Sequence, residues 1–171
     1  MRKPKPPVPE KRSAVQAEAA CVCGAVRLEI DVPAVWAWHD HSEASRRAQG
    51  CAYATYVGSW KSRFRMLAGE ERLTRFEDRK AGTVRSFCAA CGTPVLYERA
   101  RSPAIVNIPR ALFASRTGRE PRYHMNLTEK ADWTWAGEPL GPLKGYPGVM
   151  WARPKRRREP LPDSLFSPEE A

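Results

Sequence analysis

The sequence predicts a mainly β protein with a single core, on the strength of three observations. Apolar runs between the chain ends are short and are separated by glycine, proline or charged residues, as in strands joined by tight turns. Residues 26–32 (VRLEIDV) alternate apolar and polar side chains with the period of two expected of a half-buried strand. Only residues 42–48 and 109–114 suit a helix, and both segments are short. We therefore expect mainly antiparallel sheets.

The predicted strands cover much of the first two-thirds of the chain. Besides residues 26–32, each of the following segments has a strand-like run bounded by turn residues. They are residues 53–57, 63–67, 73–76, 84–87, 95–97 and 104–108.

Composition divides the chain into one folded domain and two tails. With 171 residues, of which 42% are hydrophobic, the chain can bury one core. Residues 1–16 are basic and rich in proline, and residues 153–171 are densely charged, so neither segment offers enough apolar surface to offset its ordering entropy. We predict disordered tails at 1–16 and 153–171 and a folded domain at 17–152.

The net charge of +10 is shared unevenly along the chain. Residues 1–12 carry +4 and residues 152–171 carry +1, which leaves about +5 for the central part. Part of the basicity therefore lies in the tails, and nucleic-acid binding is not the favoured function. No apolar run is long enough to cross a membrane, and the first residues are proline and lysine rather than an apolar signal core. We expect a cytoplasmic protein without a membrane partner.

The cysteines are arranged as a metal site rather than as a disulfide framework. Cys21 and Cys23 precede a predicted strand, whereas Cys88 and Cys91 follow one, and a glycine comes directly after each pair. Zinc prefers four soft ligands in a tetrahedron, and a tight turn can present two thiolates to it. We predict that these four cysteines hold one structural zinc. Cys51 is left over, and we interpret it as a small packed residue.

Several segments, in this order, resemble the glutathione-dependent formaldehyde-activating enzyme family, which includes the centromere protein V-like proteins. The resemblance extends over about residues 17–135. The segments that carry it are CVCGAVR at 21–27, SRRAQG at 45–50, FCAACGTPVLY at 87–97 and PRYHMNLTEKADW at 121–133.

The resemblance implies a β-tent fold, a structural zinc on the four cysteines, and a second, open zinc held by a C-x-C-x-x-C triplet for glutathione chemistry. When the alignment is anchored on the RRA segment, the triplet falls on Asp40, Ser42 and Ser45, and none of these is a thiol. Because neutral hydroxyls are poor zinc ligands, an unaltered second zinc site is not expected.

Two histidines next to the altered triplet leave three interpretations open. His39 and His41 project to the same side of an extended segment, and Asp40 lies between them in sequence, so these three residues are candidates for a second metal site. Alternatively, His39 or His41 serves as a metal-free acid–base catalyst. In the third interpretation, the histidines and the carboxylate hydrogen-bond within a polar loop.

Basic side chains beside the motifs are candidates for ligand binding. Arg46, Arg47 and Arg85 could receive the carboxylates of a glutathione-like ligand, or they could be ordinary surface arginines. His124 lies in the segment that resembles the C-terminal part of the family, either as a pocket residue or as a structural histidine.

Three functions are compatible with these features. The first is a carbon–sulfur lyase that acts on the adduct of a thiol such as glutathione with an aldehyde such as formaldehyde, as the resemblance implies. The second is a non-catalytic, zinc-stabilised module that binds a small thiol or a protein partner, which the absent cysteine triplet favours. The third, nucleic-acid binding through the scaffold and the basic tails, is the least supported.

Overall fold

The computed structural model describes residues 15–134 and 140–151, and strands dominate them. One α-helix, α1 (Glu43–Gln49), lies between the third and fourth strands of this part of the chain. The strands, in chain order, are β1 (Gln16–Ala20), β2 (Arg27–Asp31), β3 (Trp36–Asp40), β4 (Ala54–Trp60), β5 (Phe64–Ala68), β6 (Leu73–Asp78), β7 (Thr83–Cys88), β8 (Pro94–Arg99), β9 (Ile105–Pro109), β10 (Tyr123–Met125), β11 (Gly141–Pro142) and β12 (Met150–Trp151).

The strands form a small sheet and a large one. The small sheet has the order β1-β2-β5 and the large one the order β11-β12-β10-β3-β4-β9-β8-β7-β6. All pairs within these sheets are antiparallel except β3 with β10, which run parallel and place Trp38 beside Tyr123 and His39 beside His124. The predicted mainly β fold with mostly antiparallel sheets is confirmed.

The large sheet is buried on both faces at β4, as two adjacent residues show. Val57 belongs to the main core, where Leu28 and Ile30 of the small sheet meet Ile108 of the large one. Tyr56 belongs to a second apolar cluster on the opposite face, together with Trp38 and other aromatic side chains. Neighbouring strand residues point to opposite faces, and both Val57 and Tyr56 are fully buried. Arg85 contacts Tyr56 of this second, aromatic cluster, whereas Cys21 and Cys88 belong to the main core.

Each predicted strand appears in the structure, with shifted ends, but other elements differ from the predictions. The predicted helix at 42–48 is α1, whereas the segment at 109–114 forms only a 3-10 turn at Arg110–Leu112. Five strands of the described residues were not predicted, namely β1, β3, β10, β11 and β12. β1 begins at Gln16, one residue before the predicted start of the domain. The sheets therefore contain more strands than the sequence pattern indicated.

The predicted disorder of the tails falls almost entirely on residues 1–14 and 152–171, which lie outside the described residues. In the part of the chain that the structure describes, no helix is both long and apolar enough to cross a membrane.

Candidate functional site

The four cysteines of the two predicted turns converge on one point. The Sγ atoms of Cys21, Cys23, Cys88 and Cys91 all lie within 4.8 Å of one another. The Sγ atoms of Cys21 and Cys23 are 3.5 Å apart, and those of Cys23 and Cys88 are 3.8 Å apart. A tetrahedral zinc with Zn–S bonds of about 2.3 Å separates its sulfurs by about 3.8 Å. None of these cysteines forms a disulfide. The cluster could therefore hold a metal ion.

Both cysteine turns are closed in the same way by glycine. The amide of Gly24 donates to the carbonyl oxygen of Cys21 at 2.9 Å, and the amide of Gly92 donates to that of Cys88 at 2.8 Å. Gly24 has a φ of 73° and Gly92 a φ of 70°, which is left-handed backbone that side chains rarely adopt. A Cβ atom at either position would meet nothing within 4 Å. Glycine is therefore required here by the backbone conformation rather than by lack of space for a side chain.

Neighbouring groups favour the thiolate form of two cysteines in this cluster, Cys21 and Cys91. Val26 donates its amide to the Sγ atom of Cys21 at 3.3 Å. The hydroxyl of Thr93 lies 3.1 Å from the Sγ atom of Cys91, and this contact is the largest of several hydrogen bonds that lower the pKa of Cys91 to about 5. The neighbouring thiols of Cys21 and Cys91 instead raise the pKa of Cys23 to about 11. Cys21 and Cys88 are buried, whereas Cys23 and Cys91 are exposed, so the cluster lies at the edge of the main core. Thiolate is the form of cysteine that binds metal.

A hydrogen-bonded polar cluster, formed by Asp40, Ser42 and Ser45, occupies the three positions that align with the catalytic cysteines. Ser45 donates its hydroxyl to Oδ2 of Asp40 at 2.7 Å, and the amide of Ser42 donates to Oδ1 at 3.1 Å. Asn126 donates its side-chain amide to the same Oδ1 at 2.7 Å. Ser42 also caps α1, because its hydroxyl accepts the amide of Ser45 at 3.3 Å. Asp40 and Ser45 are both buried, so these bonds offset the cost of their desolvation.

Arg85 joins the polar cluster to the aromatic cluster. It donates from Nη2 to the Ser45 hydroxyl at 3.1 Å and from Nη1 to the Tyr56 hydroxyl at 2.9 Å. Its guanidinium carbon lies 4.2 Å above the ring centre of Tyr97, within the range of a cation–π interaction. A positive charge therefore lies next to the polar cluster, where the resemblance would imply a metal ion.

The three histidines gather around Tyr53, away from the polar cluster. His41 and His124 are joined by a hydrogen bond of 2.8 Å between Nε2 and Nδ1, and the ring of His39 lies 4.7 Å from that of His124. Burial lowers the pKa of His39 and that of His41 to about 4, with the neighbouring His124 as a further cause in both cases. Burial likewise lowers the pKa of His124. All three imidazoles are therefore neutral at pH 7.

The structure separates the residues predicted as a second metal site. His39 contacts the Thr55 hydroxyl through Nδ1 at 2.9 Å, His41 contacts His124, and Asp40 bonds to Ser45. Their ligand atoms therefore face different partners. Within residues 15–134 and 140–151, the four cysteines are the group whose ligand atoms converge as a metal requires. The proposed combination of His39, Asp40 and His41 is not assembled, because Asp40 points to the opposite side of β3 from the histidines.

The predicted ligand-binding arginines have different environments. Arg46 donates to the backbone carbonyls of His41 and Glu129, and the exposed Arg47 pairs with Glu43 one turn earlier in α1. Only Arg85 contacts the polar cluster.

Two residues of the site, Arg99 and Asn126, were not predicted from the sequence. Arg99 lies two residues beyond Tyr97 on β8 and hence on the same face, and this period of two was the signal that could have revealed it. Asn126 follows β10, a strand too short to be recognised from its pattern.

Fold and site together define a mainly β protein with a four-cysteine cluster that could hold a metal ion. Residues 16–129, about two-thirds of the chain, match the family described as glutathione-dependent formaldehyde-activating enzyme. The chain belongs to this family.

Among solved structures, similarity extends to a crystal structure of a Rhodobacter sphaeroides protein determined by structural genomics. The two chains share 23% sequence identity with a TM-score of 0.49, and the match covers 58% of this chain and 89% of the other. No protein with a curated description gives a significant match.

Proposed function

We propose that this chain is a zinc-containing binding protein of its family, which binds a small ligand beside Arg85 and does not perform the lyase reaction. The observation that carries the proposal is the hydrogen-bonded chain Asp40–Ser45–Arg85, at the positions where the resemblance implies a catalytic metal. Asp40 accepts three hydrogen bonds and Ser45 is engaged on both sides. Asp40, Ser45 and Arg85 therefore satisfy one another's hydrogen-bonding groups without a metal ion.

Electrostatics also disfavours a second zinc at this point. The guanidinium of Arg85 lies 3.1 Å from the Ser45 hydroxyl, and two cations so close together in a partly buried site repel strongly. The carboxylate of Asp40 is the charge that Arg85 balances through Ser45. Placing a divalent ion on Asp40 and Ser45 would require Arg85 to leave its stacked position on Tyr97.

The four-cysteine cluster supports a structural role for the zinc that we propose there. Cys21 and Cys23 would hold it from one turn and Cys88 and Cys91 from the other, and a closed four-thiolate site leaves no coordination position for substrate. Its contribution would be to fix two turns that lie far apart in the chain. Ligand chemistry, if the protein has any, belongs to the other cluster.

Metal content and turnover test the proposal together. We expect elemental analysis to give one zinc per chain in the wild type and in the His39→Ala/His41→Ala double variant. The Asp40→Cys/Ser42→Cys/Ser45→Cys triple variant rebuilds the cysteine triplet and should gain a second zinc, which proves that the measurement detects an ion at this place.

Glutathione should bind to the protein in a calorimetric titration, while its reaction with formaldehyde should proceed at the uncatalysed rate. Two zinc ions in the wild type, or clear rate acceleration, would overturn the proposal.

Lyase activity remains the second candidate function because the chain belongs to an enzyme family and holds a buried imidazole pair. His41 and His124 share a hydrogen bond of 2.8 Å, and neutral imidazoles can accept a proton from a thiol. If thiol–aldehyde adducts form faster with the protein, the rate should fall in a His41→Gln variant and stay unchanged in Arg47→Gln, whose side chain is exposed. Loss of rate in both variants would argue against an acid–base role for His41.

A further inference from the structure

Arg99, the last residue of β8, is a buried cation without an anionic partner. Only 8% of its surface is exposed. Its Nε atom has no hydrogen-bond partner, and across the described residues its guanidinium makes no ion pair with a carboxylate. Buried arginines are ordinarily paired with an anion, because the transfer of an unpaired charge from water into the protein costs on the order of several kcal/mol. The position of Arg99 therefore needs a reason.

The contrast with Arg85 on the neighbouring strand shows what Arg99 lacks. Arg85 donates to two side-chain hydroxyls and stacks on Tyr97. Arg99 has only a loose contact with an aromatic face, its guanidinium carbon lying 5.5 Å from the ring centre of Trp38. Burial and the nearby Arg101 lower the pKa of Arg99, while Tyr97 and the Asp40 carboxylate, which forms no ion pair with Arg99, oppose this shift. A guanidinium remains protonated in proteins. The guanidinium of Arg85 therefore has hydrogen-bond partners in the protein, whereas the Nε atom of Arg99 has none.

Arg99 opens into a cavity that is polar and positively charged. The cavity has a volume of about 540 Å³, and its walls include Asp40, Arg85 and Asn126 of the polar site together with Trp38 and Tyr97. Its basic lining residues outnumber its acidic ones. The basic side chains are Arg79, Lys80, Arg85, Arg99 and Arg101, and the acidic ones are Asp40 and Glu129.

We infer that this cavity binds a small organic oxyanion, a carboxylate or a phosphate, whose oxygens pair with the guanidinium of Arg99. The fork of an arginine matches either group in a two-point contact. Arg79, Lys80 and Arg101 are exposed and lie at the rim, where they attract the anion rather than hold it. The volume limits the ligand to a metabolite-sized molecule. The inference rests on the proposed function, because the same cavity contains Arg85 and the polar cluster.

Calorimetric titration at low ionic strength tests this assignment with three probes at millimolar concentration. Succinate presents a carboxylate, inorganic phosphate presents the alternative oxyanion, and succinamide is the neutral analogue of succinate. We expect succinate or phosphate to bind and succinamide not to bind. The Arg99→Met variant should lose affinity at least about tenfold, and Arg101→Met, the matched change at the rim, should lose less than about threefold.

Thermal unfolding without ligand separates binding from a structural role. Because Arg99 is an unpaired buried cation, its replacement by methionine should leave the melting temperature unchanged or raise it. If Arg99→Met fails to fold, Arg99→Lys serves instead: it keeps the charge without the fork and should bind more weakly than wild type. The inference is overturned if no anion binds, if Arg99→Met binds as well as wild type, or if Arg101→Met loses as much affinity. None of these results would alter the zinc count or the turnover measurement that decide the proposed function.

Discussion

β7 connects the cysteine cluster, through Cys88, with the polar cluster, through the bond of Arg85 to Ser45, and the two clusters differ in how the chain is held together. β7 carries both Cys88 and Arg85, which point to opposite faces of the large sheet. The cysteine cluster joins turns whose members Cys23 and Cys88 are 65 residues apart. The polar cluster is built mainly from residues within one short segment, with Asp40 and Ser45 at either end of it.

This difference explains why hydrogen bonds can suffice at one place and a metal is expected at the other. Two cysteines of the metal cluster are exposed, so burial contributes little to closing their long loop, and a metal would supply the missing free energy. At the polar cluster the start of α1 already fixes the backbone, and Ser42 caps it. A set of short-range bonds there needs no ion to form. The following predictions test this contrast.

Removing one thiol of the cysteine cluster should have the largest effect. Cys88→Ser is expected to lose the metal and the cooperative unfolding transition, because structural zinc contributes about 10–16 kcal/mol in small zinc domains, more than most domains have to spare. Cys51→Ser is the matched control, since Cys51 lies outside the cluster and packs beside the aromatic residues. It should cost about 1 kcal/mol. Circular dichroism melts and zinc analysis decide the matter, and equal effects of the two changes would contradict a metal-held fold.

Breaking the polar cluster should destabilise the protein by less and leave the metal in place. Asp40→Ala removes the carboxylate that accepts hydrogen bonds from the Ser45 hydroxyl and the Asn126 amide and that balances the charge of Arg85. We expect a loss of about 3 kcal/mol in the free energy of unfolding. Ser42→Ala removes only the helix cap and should cost about 1 kcal/mol. Urea denaturation measures both changes. A fall in zinc content of Asp40→Ala would show that the two clusters are not independent.

The sequence predicted the cysteine cluster in full because its ligands come in two short motifs. Spacing alone identified Cys21, Cys23, Cys88 and Cys91, and the structure brings them together. The same regularity placed the strands of the central part, in which apolar runs are bounded by turns. The mainly β class followed from these local patterns.

The polar site could be predicted only in part, because it depends on strand register. The sequence located Asp40, Ser42 and Ser45 and, in one of three interpretations, grouped Asp40 with His39 and His41, whereas in the structure Asp40 bonds to Ser45. Two of the missing partners, Asn126 and Arg85, come from β-sheet regions far along the chain, and β10 pairs with β3 in parallel, which no local pattern reveals. The contact of Arg99 with Trp38 likewise depends on long-range packing, because β4 and β9 separate β8 from β3 in the sheet.

The histidines on the other side of β3 should make stability depend on pH. The pKa of His41 is about 4 in the folded protein and about 6.5 in an unfolded chain. Because the unfolded state binds the proton more readily, the stability present above pH 6.5 is lost as the pH falls towards 4. For one such group the slope approaches about 1.4 kcal/mol per pH unit. His39 has the same direction of shift and should add to it.

A His41→Gln variant sharpens this test. Glutamine can keep a nitrogen directed at His124 but takes up no proton, so the dependence should become shallower between pH 6.5 and 4. Acid also protonates the cysteine cluster, but wild type and variant share that contribution, and the difference between their curves belongs to His41. Urea denaturation across this range measures it. Parallel curves would mean that His41 titrates normally in the folded protein.

The smallest expected effect compares one glycine from each region. Gly92 closes a cysteine turn with a φ of 70°, and Gly50 ends α1 near the polar cluster with a φ of 61°. Neither has an atom within 4 Å of an added Cβ, so alanine at either position meets the same backbone strain of about 1–2 kcal/mol and no clash. Chemical denaturation should therefore give similar losses for the two variants. Zinc competition should distinguish them: Gly92→Ala should weaken zinc binding up to about tenfold, whereas Gly50→Ala should leave it unchanged, because only the first turn must close around the metal. Equal zinc affinities would show that the cysteine turns form without regard to the ion, and the contrast between the two clusters would then lose its physical basis.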